Sequence, residues 1–278
     1  LGEAAAYVPE EESSAIAEEG TSSSQLSHFA RPDVYGQQVS VYFKDLDSGM
    51  EYWYRPDQSY FVASLIKAPY SMYLYELAAQ GSCNLTDVIT VTQEDRMEGT
   101  GILQNLTEEE LPKEYTIQEL LHLIIRESDN TAMKALLRVF PAAGYRAYAQ
   151  RLGIRNPENI RDVTNGWITA EDAAVYLNAL YEFLQNNPYG EILREDMLHT
   201  KNPMITSSSP VVRKYGWASL SFHDMALVEA GHPYLLAILT DKDVGRQEDY
   251  RLFWELPRLF EEIMAEKYAA AGTSPVDG

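Results

Sequence analysis

Apolar positions fall into short alternating runs near the two ends of the chain and into longer helical runs between them. Val39-Ser40-Val41-Tyr42-Phe43 and Met50-Glu51-Tyr52-Trp53-Tyr54 place β-branched and aromatic residues on either side of a glycine-containing turn at Asp45-Leu46-Asp47-Ser48-Gly49. This is the pattern of a β-hairpin. From Ser64 to Gln80, Leu, Ile, Ala, Tyr and Met recur and Gly81 follows, which predicts a mostly buried helix with a glycine stop. Tyr70, Tyr73 and Tyr75 then belong to helix packing. Thr116-Ile117-Gln118-Glu119 has the form of a capping box ahead of Leu120, Leu121, Leu123, Ile124 and Ile125, and predicts a second helix running out at Glu127-Ser128. His122 lies inside that apolar run and reads as packed. Thr169-Ala170-Glu171-Asp172 opens a third helix, to about Leu184. Tyr215 to Leu220, Met225 to Glu229 and Tyr234 to Thr240 alternate as three strands, the last two joined at Gly231-His232. A final helix from Glu248 to about Ala271 carries Pro257, where a bend is expected.

Two strands, many helices, three strands and a helix imply one antiparallel sheet completed late in the chain. A helical subdomain, roughly residues 82–205, would be inserted between its strands. No internal repeat is present. Residues 1–36 are rich in Ala, Glu, Ser and Gly, with Glu10-Glu11-Glu12 and Ser22-Ser23-Ser24, and read as an acidic leader. The main domain is expected over 37–271, followed by a tail at 272–278.

Composition narrows the partners. At 278 residues and 45% hydrophobic the chain can bury a sizeable core. Forty-two acidic against 22 basic residues give a formal charge of -20, which removes the electrostatic footprint for nucleic acid or an anionic membrane surface. Cys83 is the single cysteine, so neither an intrachain disulfide nor a cysteine metal cluster can form. No apolar run is long enough to span a bilayer, and Leu1-Gly2-Glu3 opens without a basic and apolar secretory pattern. No cofactor or metal is called for by any motif.

Three short motifs carry candidate chemistry. Ser64 and Lys67, three apart at the start of an apolar helix, share one face and place a hydroxyl near an amine, as a nucleophile and its base require. A capping serine beside a solvated lysine gives the same tetrad. Lysine can accept a proton from serine only if burial or a second cation lowers its pKa. Glu127-Ser128-Asp129-Asn130-Thr131 lies between two apolar helical stretches, where it either presents Ser128 and Asn130 to a cleft or caps the next helix. Lys214-Tyr215-Gly216 opens the first C-terminal strand, and the glycine permits close approach of a ligand backbone.

In this order the S-x-x-K, S-D-N and K-T-G-like triplets resemble the signature of class A β-lactamases and penicillin-binding proteins. Gly99-Thr100-Gly101-Ile102-Leu103 and the stretch from Asp162 to Asp172 add to the resemblance, which covers roughly residues 37–271. It implies an α/β protein of the α+β type, with an antiparallel five-stranded sheet flanked by helices and an all-helical subdomain. It implies Ser64 as the acylated nucleophile, Lys67 as its proton acceptor, Ser128 as a proton shuttle to the leaving nitrogen, and Lys214 holding Ser128 and a substrate carboxylate by charge. Asn130, Tyr215, Gly216 and Trp217 would contact substrate, and the oxyanion would lie between the backbone N–H groups of Ser64 and Trp217. The substrate would be a β-lactam or a D-Ala-D-Ala-like peptide carrying a carboxylate, and the location extracytoplasmic.

Two departures qualify that expectation. The family's E-x-x-L-N pattern, whose glutamate activates the deacylating water, is missing after Arg151-Leu152-Gly153. Glu158 is the only acid between Gly153 and Asp162, either a water activator or a solvated loop acid. Tyr215 replaces the Thr or Ser of the triplet, whose small hydroxyl binds the substrate carboxylate in the family. Acylation with slow hydrolysis is therefore expected, with a non-turnover sensor or an idle peptide-binding relative as alternatives. His223-Asp224 resembles part of a triad, but no G-x-S-x-G elbow exists, so a structural role is expected. Asn84-Leu85-Thr86 and Asn105-Leu106-Thr107 match a glycosylation pattern that recurs by chance.

Overall fold

The computed structural model describes residues 38–157, 166–242 and 250–272. The leader expected over 1–36, Glu158, Asp162, Glu248 and the tail beyond Gly272 lie outside the described residues. The chain begins with strand β1 (Val39–Asp45), returns as β2 (Glu51–Tyr54), and makes a short β3 (Tyr60–Phe61). A 3-10 turn at Ala63–Ile66 leads into helix α1 (Lys67–Ala79). A ribbon of β4 (Val88–Val91) and β5 (Lys113–Thr116) precedes α2 (Ile117–His122), which widens into a π-type turn at Leu123–Glu127. Helices α3 (Asn130–Val139) and α4 (Ala142–Leu152) follow, then β6 (Trp167–Ile168), α5 (Ala170–Asn186) and α6 (Gly190–Leu198). Strands β7 (Val211–Ala218), β8 (Ser221–Val228) and β9 (Tyr234–Thr240) and helix α7 (Arg251–Ala270) complete the described fold.

The main sheet is five-stranded and antiparallel, in the order β2-β1-β9-β8-β7. Both faces are covered. Val39, Val41, Phe43, Leu236 and Ile238 pack with Phe253, Leu256 and Phe260 of α7. The intervening Tyr42, Leu235, Ala237 and Leu239 face the opposite core with residues of α1, α2, α3 and α5. Successive residues of a strand point to opposite faces, so a doubly covered strand is apolar throughout rather than alternating. That is why β8 and β9 are buried at every position.

This burial also corrects two expected strand boundaries. Val211 to Lys214 and Ser221 to Asp224 belong to strands, and Lys214 lies within β7 rather than at its start. The connecting turn at Ser219-Leu220 holds Leu220 at φ +57, with none of the Gly or Asn that usually signals such a turn. The expected capping box is present: the Thr116 hydroxyl accepts from the Glu119 N–H and Glu119 returns a bond to the Thr116 N–H at 2.7 Å. Thr169 and Asp172 repeat this arrangement ahead of α5. Pro257 lacks the N–H that would bond the Phe253 carbonyl in the helix. That carbonyl instead accepts the Thr206 N–H at 3.3 Å and ties α7 to the segment ahead of β7.

Phe43 and Phe260 stack with ring centroids 4.0 Å apart, which fixes α7 on the sheet. Phe260→Ala should cost about 3–5 kcal/mol of unfolding free energy. A urea midpoint shifted accordingly, with an unchanged slope, checks it.

Candidate active site

Three chain segments meet at one edge of the sheet. The first is the 3-10 turn carrying Ser64, entered through Ala63 at φ +47, a left-handed conformation that is strained for a residue with a Cβ. The Val62 N–H holds this entry by bonding to the Gly166 carbonyl at 3.0 Å. The second is the turn after the π-type segment, where Ser128 is left-handed at φ +54. Asp129 locks this turn: one carboxylate oxygen accepts the Ala132 N–H at the start of α3, and the other accepts the Leu103 N–H, both at 2.8 Å. Capping and presentation thus occur together. The third segment is edge strand β7, with Lys214, Gly216 and Trp217.

Glycines set how closely these pieces pack. A Cβ on Gly216 would stand 3.0 Å from the Leu65 nitrogen and 3.1 Å from the Ser64 nitrogen. The bare backbone that the sequence suggested for ligand approach therefore admits the Ser64 turn itself. A Cβ on Gly101, at φ +106, would lie 2.3 Å from the Asp129 carboxylate, so Gly101 lets the Gly99-Thr100-Gly101 loop lie on the Ser128 turn. Thr100 belongs to the site although its motif was read only as a family resemblance. Its hydroxyl donates to the Ser128 carbonyl at 2.6 Å, and its own carbonyl accepts the Asn130 N–H at 3.0 Å.

Lys67, Ser128 and Lys214 are fully buried, and Ser64 is 6% exposed. The Lys67 Nζ lies 2.6 Å from the Ser128 carbonyl and 2.7 Å from Asn130 Oδ1. It is 3.1 Å from Ser64 Oγ and 3.3 Å from Ser128 Oγ. A neutral amine has two N–H donors and one lone pair; an ammonium has three donors and none. The two carbonyl oxygens use the two donors of the neutral amine, leaving its lone pair for a hydroxyl proton. Burial lowers the Lys67 pKa well below the ordinary lysine value, and the Lys214 charge lowers it further against an opposing pull from Asp129. Burial brings Lys214 down to about 7, with Asp224 pulling the other way. Its Nζ lies 3.1 Å from Ser128 Oγ, so that hydroxyl stands between the two amines.

The opening above Ser64 is a cleft of about 310 Å³ lined by Phe61, Ala63, Ser64, Gly99, Thr100, Asn130, Trp217 and Ala218. Ser64 and Trp217 line the same cleft, where their main-chain N–H groups were expected to hold an oxyanion. Lys214 and Tyr215 are absent from the lining. The Tyr215 ring covers Lys214, its centroid 4.1 Å from Nζ, and its hydroxyl accepts from Asn202 Nδ2 at 3.2 Å. His223 and Asp224 have structural bonds. His223 donates from Nε2 to the Phe61 carbonyl at 2.8 Å and accepts the Thr240 N–H at 3.0 Å, and burial lowers its pKa to about 4. Asp224 accepts the Ile205 N–H at 2.9 Å, and burial raises its pKa to about 6. His122 is only partly buried; it bonds the buried Asp196, which also receives Arg126.

Two consequences can be measured. Protonating Lys67 removes the lone pair facing Ser64, so labelling of Ser64 by a fluorophosphonate should rise with pH and level off well below 10.5. A rate still climbing about tenfold per unit between about pH 9 and 10 would contradict this. Gly216→Ala, by displacing the Ser64 main chain, should slow labelling about 10–100-fold while circular dichroism shows the fold intact.

Comparison with known proteins agrees with this architecture. Residues 23–262 match the family model described as the Beta-lactamase enzyme family. A β-lactamase from Sphaerobacter thermophilus DSM 20745 superposes with a TM-score of 0.78 at 20% identity, covering 87% of this chain and 97% of that one. A mutant of PBP-A, in an acyl-enzyme complex with penicillin G, gives 0.74 at 18% identity over 87% and 97% of the two chains. An ancestral (GNCA) class A β-lactamase gives 0.72 at 21% identity over 87% and 100%. No curated protein matches the chain. With the family model matched across most of its length and its five-stranded sheet shared with these structures, the chain belongs to the beta-lactamase enzyme family.

Proposed function

We propose that this protein is a serine hydrolase that forms an acyl-enzyme at Ser64 with a β-lactam or a D-Ala-D-Ala-like peptide and releases it slowly. The observation that carries this reading is the placement of the Lys67 Nζ, 3.1 Å from Ser64 Oγ and already bonded to two acceptors. Lys67 takes the Ser64 proton as Oγ attacks the carbonyl carbon. The N–H groups of Ser64 and Trp217 receive the developing oxyanion. Ser128, bonded to both lysines, passes a proton to the departing nitrogen, and Lys214 or Lys67 replenishes it. Asn130 lies at the cleft floor, with Oδ1 on Lys67 and Nδ2 donating to the Glu98 carbonyl at 3.1 Å. A PBP-A mutant of similar fold forms an acyl-enzyme complex with penicillin G.

Hydrolysis of the ester needs a base for water. Among the described residues no carboxylate lines the cleft. This favours a long-lived acyl-enzyme and gives specific support to a second reading, a penicillin-binding sensor that acylates without turning over. Extracytoplasmic action, as for family members generally, accompanies both readings; no helix among the described residues is long and apolar enough to cross a membrane.

Incubation with a penicillin followed by intact mass against time should show one adduct that persists for many multiples of its formation time. Ser64→Ala should show none, and Lys67→Ala should form it about 10²–10⁴-fold more slowly. Rapid return to the free mass would sink slow deacylation, and labelling of Ser64→Ala would remove Ser64 as the nucleophile.

A further inference from the structure

Lys214 stands where a cation should receive a carboxylate, but in this chain nothing of it reaches the cleft. It is fully buried, and the ring of the next residue lies over its ammonium at 4.1 Å. Tyr215 is itself 1% exposed and fixed from two sides, by the Asn202 side chain at its hydroxyl and by the Trp217 ring edge-on at 5.2 Å. The phenol ring lies against the lysine ammonium, and the indole braces the phenol. Directly across the ladder from Tyr215 is Asp224, whose carboxylate lies 3.7 Å from the Arg213 guanidinium, so that this cation of β7 is already paired. Lys201, the other cation whose field reaches Tyr215, is engaged by Glu127. Among the described residues the cleft lining contains hydroxyl, amide, aromatic and aliphatic groups and no charged side chain.

An anion moved from water into such a cleft gives up hydration that the Ser64, Thr100 and Asn130 side chains replace only in part, with no opposite charge among the described lining residues. Uncovering Lys214 would forfeit its contact with the ring and the packing of Tyr215. A neutral group has neither cost, and the Trp217 face and the Thr100 and Asn130 side chains suit an uncharged polar chain. Building on the acyl-transfer reading, we propose that Tyr215 is a specificity-determining residue that closes the cationic position and selects acyl donors without a free carboxylate beside the scissile bond. The substrate class is thereby narrowed to esterified or amidated β-lactams and to peptides cleaved at a position other than a free C-terminal residue.

Benzylpenicillin and its methyl ester form a matched pair that differs only in this charge. Acylation of the full chain by each is followed by intact mass. The wild type should acylate faster with the ester by about tenfold. Tyr215→Thr, which removes the ring, should shift the acid-to-ester rate ratio at least about tenfold toward the acid. Tyr215→Phe keeps the ring and should retain the wild-type preference, so loss of the hydroxyl alone is separated from loss of cover. A wild type faster with the free acid overturns the proposal while leaving acylation at Ser64 standing, and so does a folded Tyr215→Thr with the wild-type ratio. Absence of an adduct with both probes removes the acyl-transfer reading and this inference with it.

Discussion

A lysine amine withdrawn from water and bonded to two carbonyl oxygens is the interaction on which the rest of the site depends. Lys67 has no exposed surface, and its two shortest bonds go to the Ser128 carbonyl and to Asn130 Oδ1. Those acceptors satisfy a neutral amine, whereas an ammonium in this dry setting would have only uncharged oxygens in contact with it. Burial and the neighbouring Lys214 act in the same direction. A residue that would be an ordinary surface cation is thereby held dry beside a hydroxyl, in the position that the proposed function assigns to a base.

Much of the surrounding backbone serves to keep that arrangement in place. Ala63 and Ser128 both adopt left-handed conformations, and each is secured by bonds from other parts of the chain. Asp129 joins the turn to α3 and to the Leu103 loop, so the polar side chain that caps the helix also fixes the distance between Lys67 and Ser128. Gly216 and Gly101 bring main chains together where any Cβ would force them apart. The doubly covered sheet supplies a rigid edge for this assembly, because β7 is anchored through β8 to a core packed on both faces.

The same burial that creates the base constrains recognition. With Lys214, Tyr215 and Ser128 all inaccessible, the cleft lining among the described residues carries no charged side chain, although two lysines are buried close by. In the proposed reaction, reactivity and recognition are thus separated: the lysines act on Ser64 and Ser128 through short internal bonds, while the cleft presents Trp217, Thr100 and Asn130. His223 supports the wall at a distance from the chemistry, joining the Phe61 carbonyl to the β9 backbone.

The hairpin, the capping box at Thr116, the helix start at Thr169, the glycine stop at Gly81 and the order of Ser64, Ser128 and Lys214 were legible because each is a local pattern with a local physical cause. The full extent of β8 was not, since the polar and charged residues of Ser221 to Asp224 interrupt the apolar pattern and fit in a strand only because both faces of the sheet are covered. Gly216 was legible as a close approach but not as an approach to the Ser64 turn, and Thr100 offered only a Gly-Thr-Gly triplet. Sequence by itself determined which residue types were available for the chemistry and in what order, because those follow from side-chain identity and short spacing. Only the tertiary structure decided that Lys67 is dry, that Ser128 lies between two amines and that Tyr215 covers Lys214, because burial and long-range packing are properties of segments that meet only on folding.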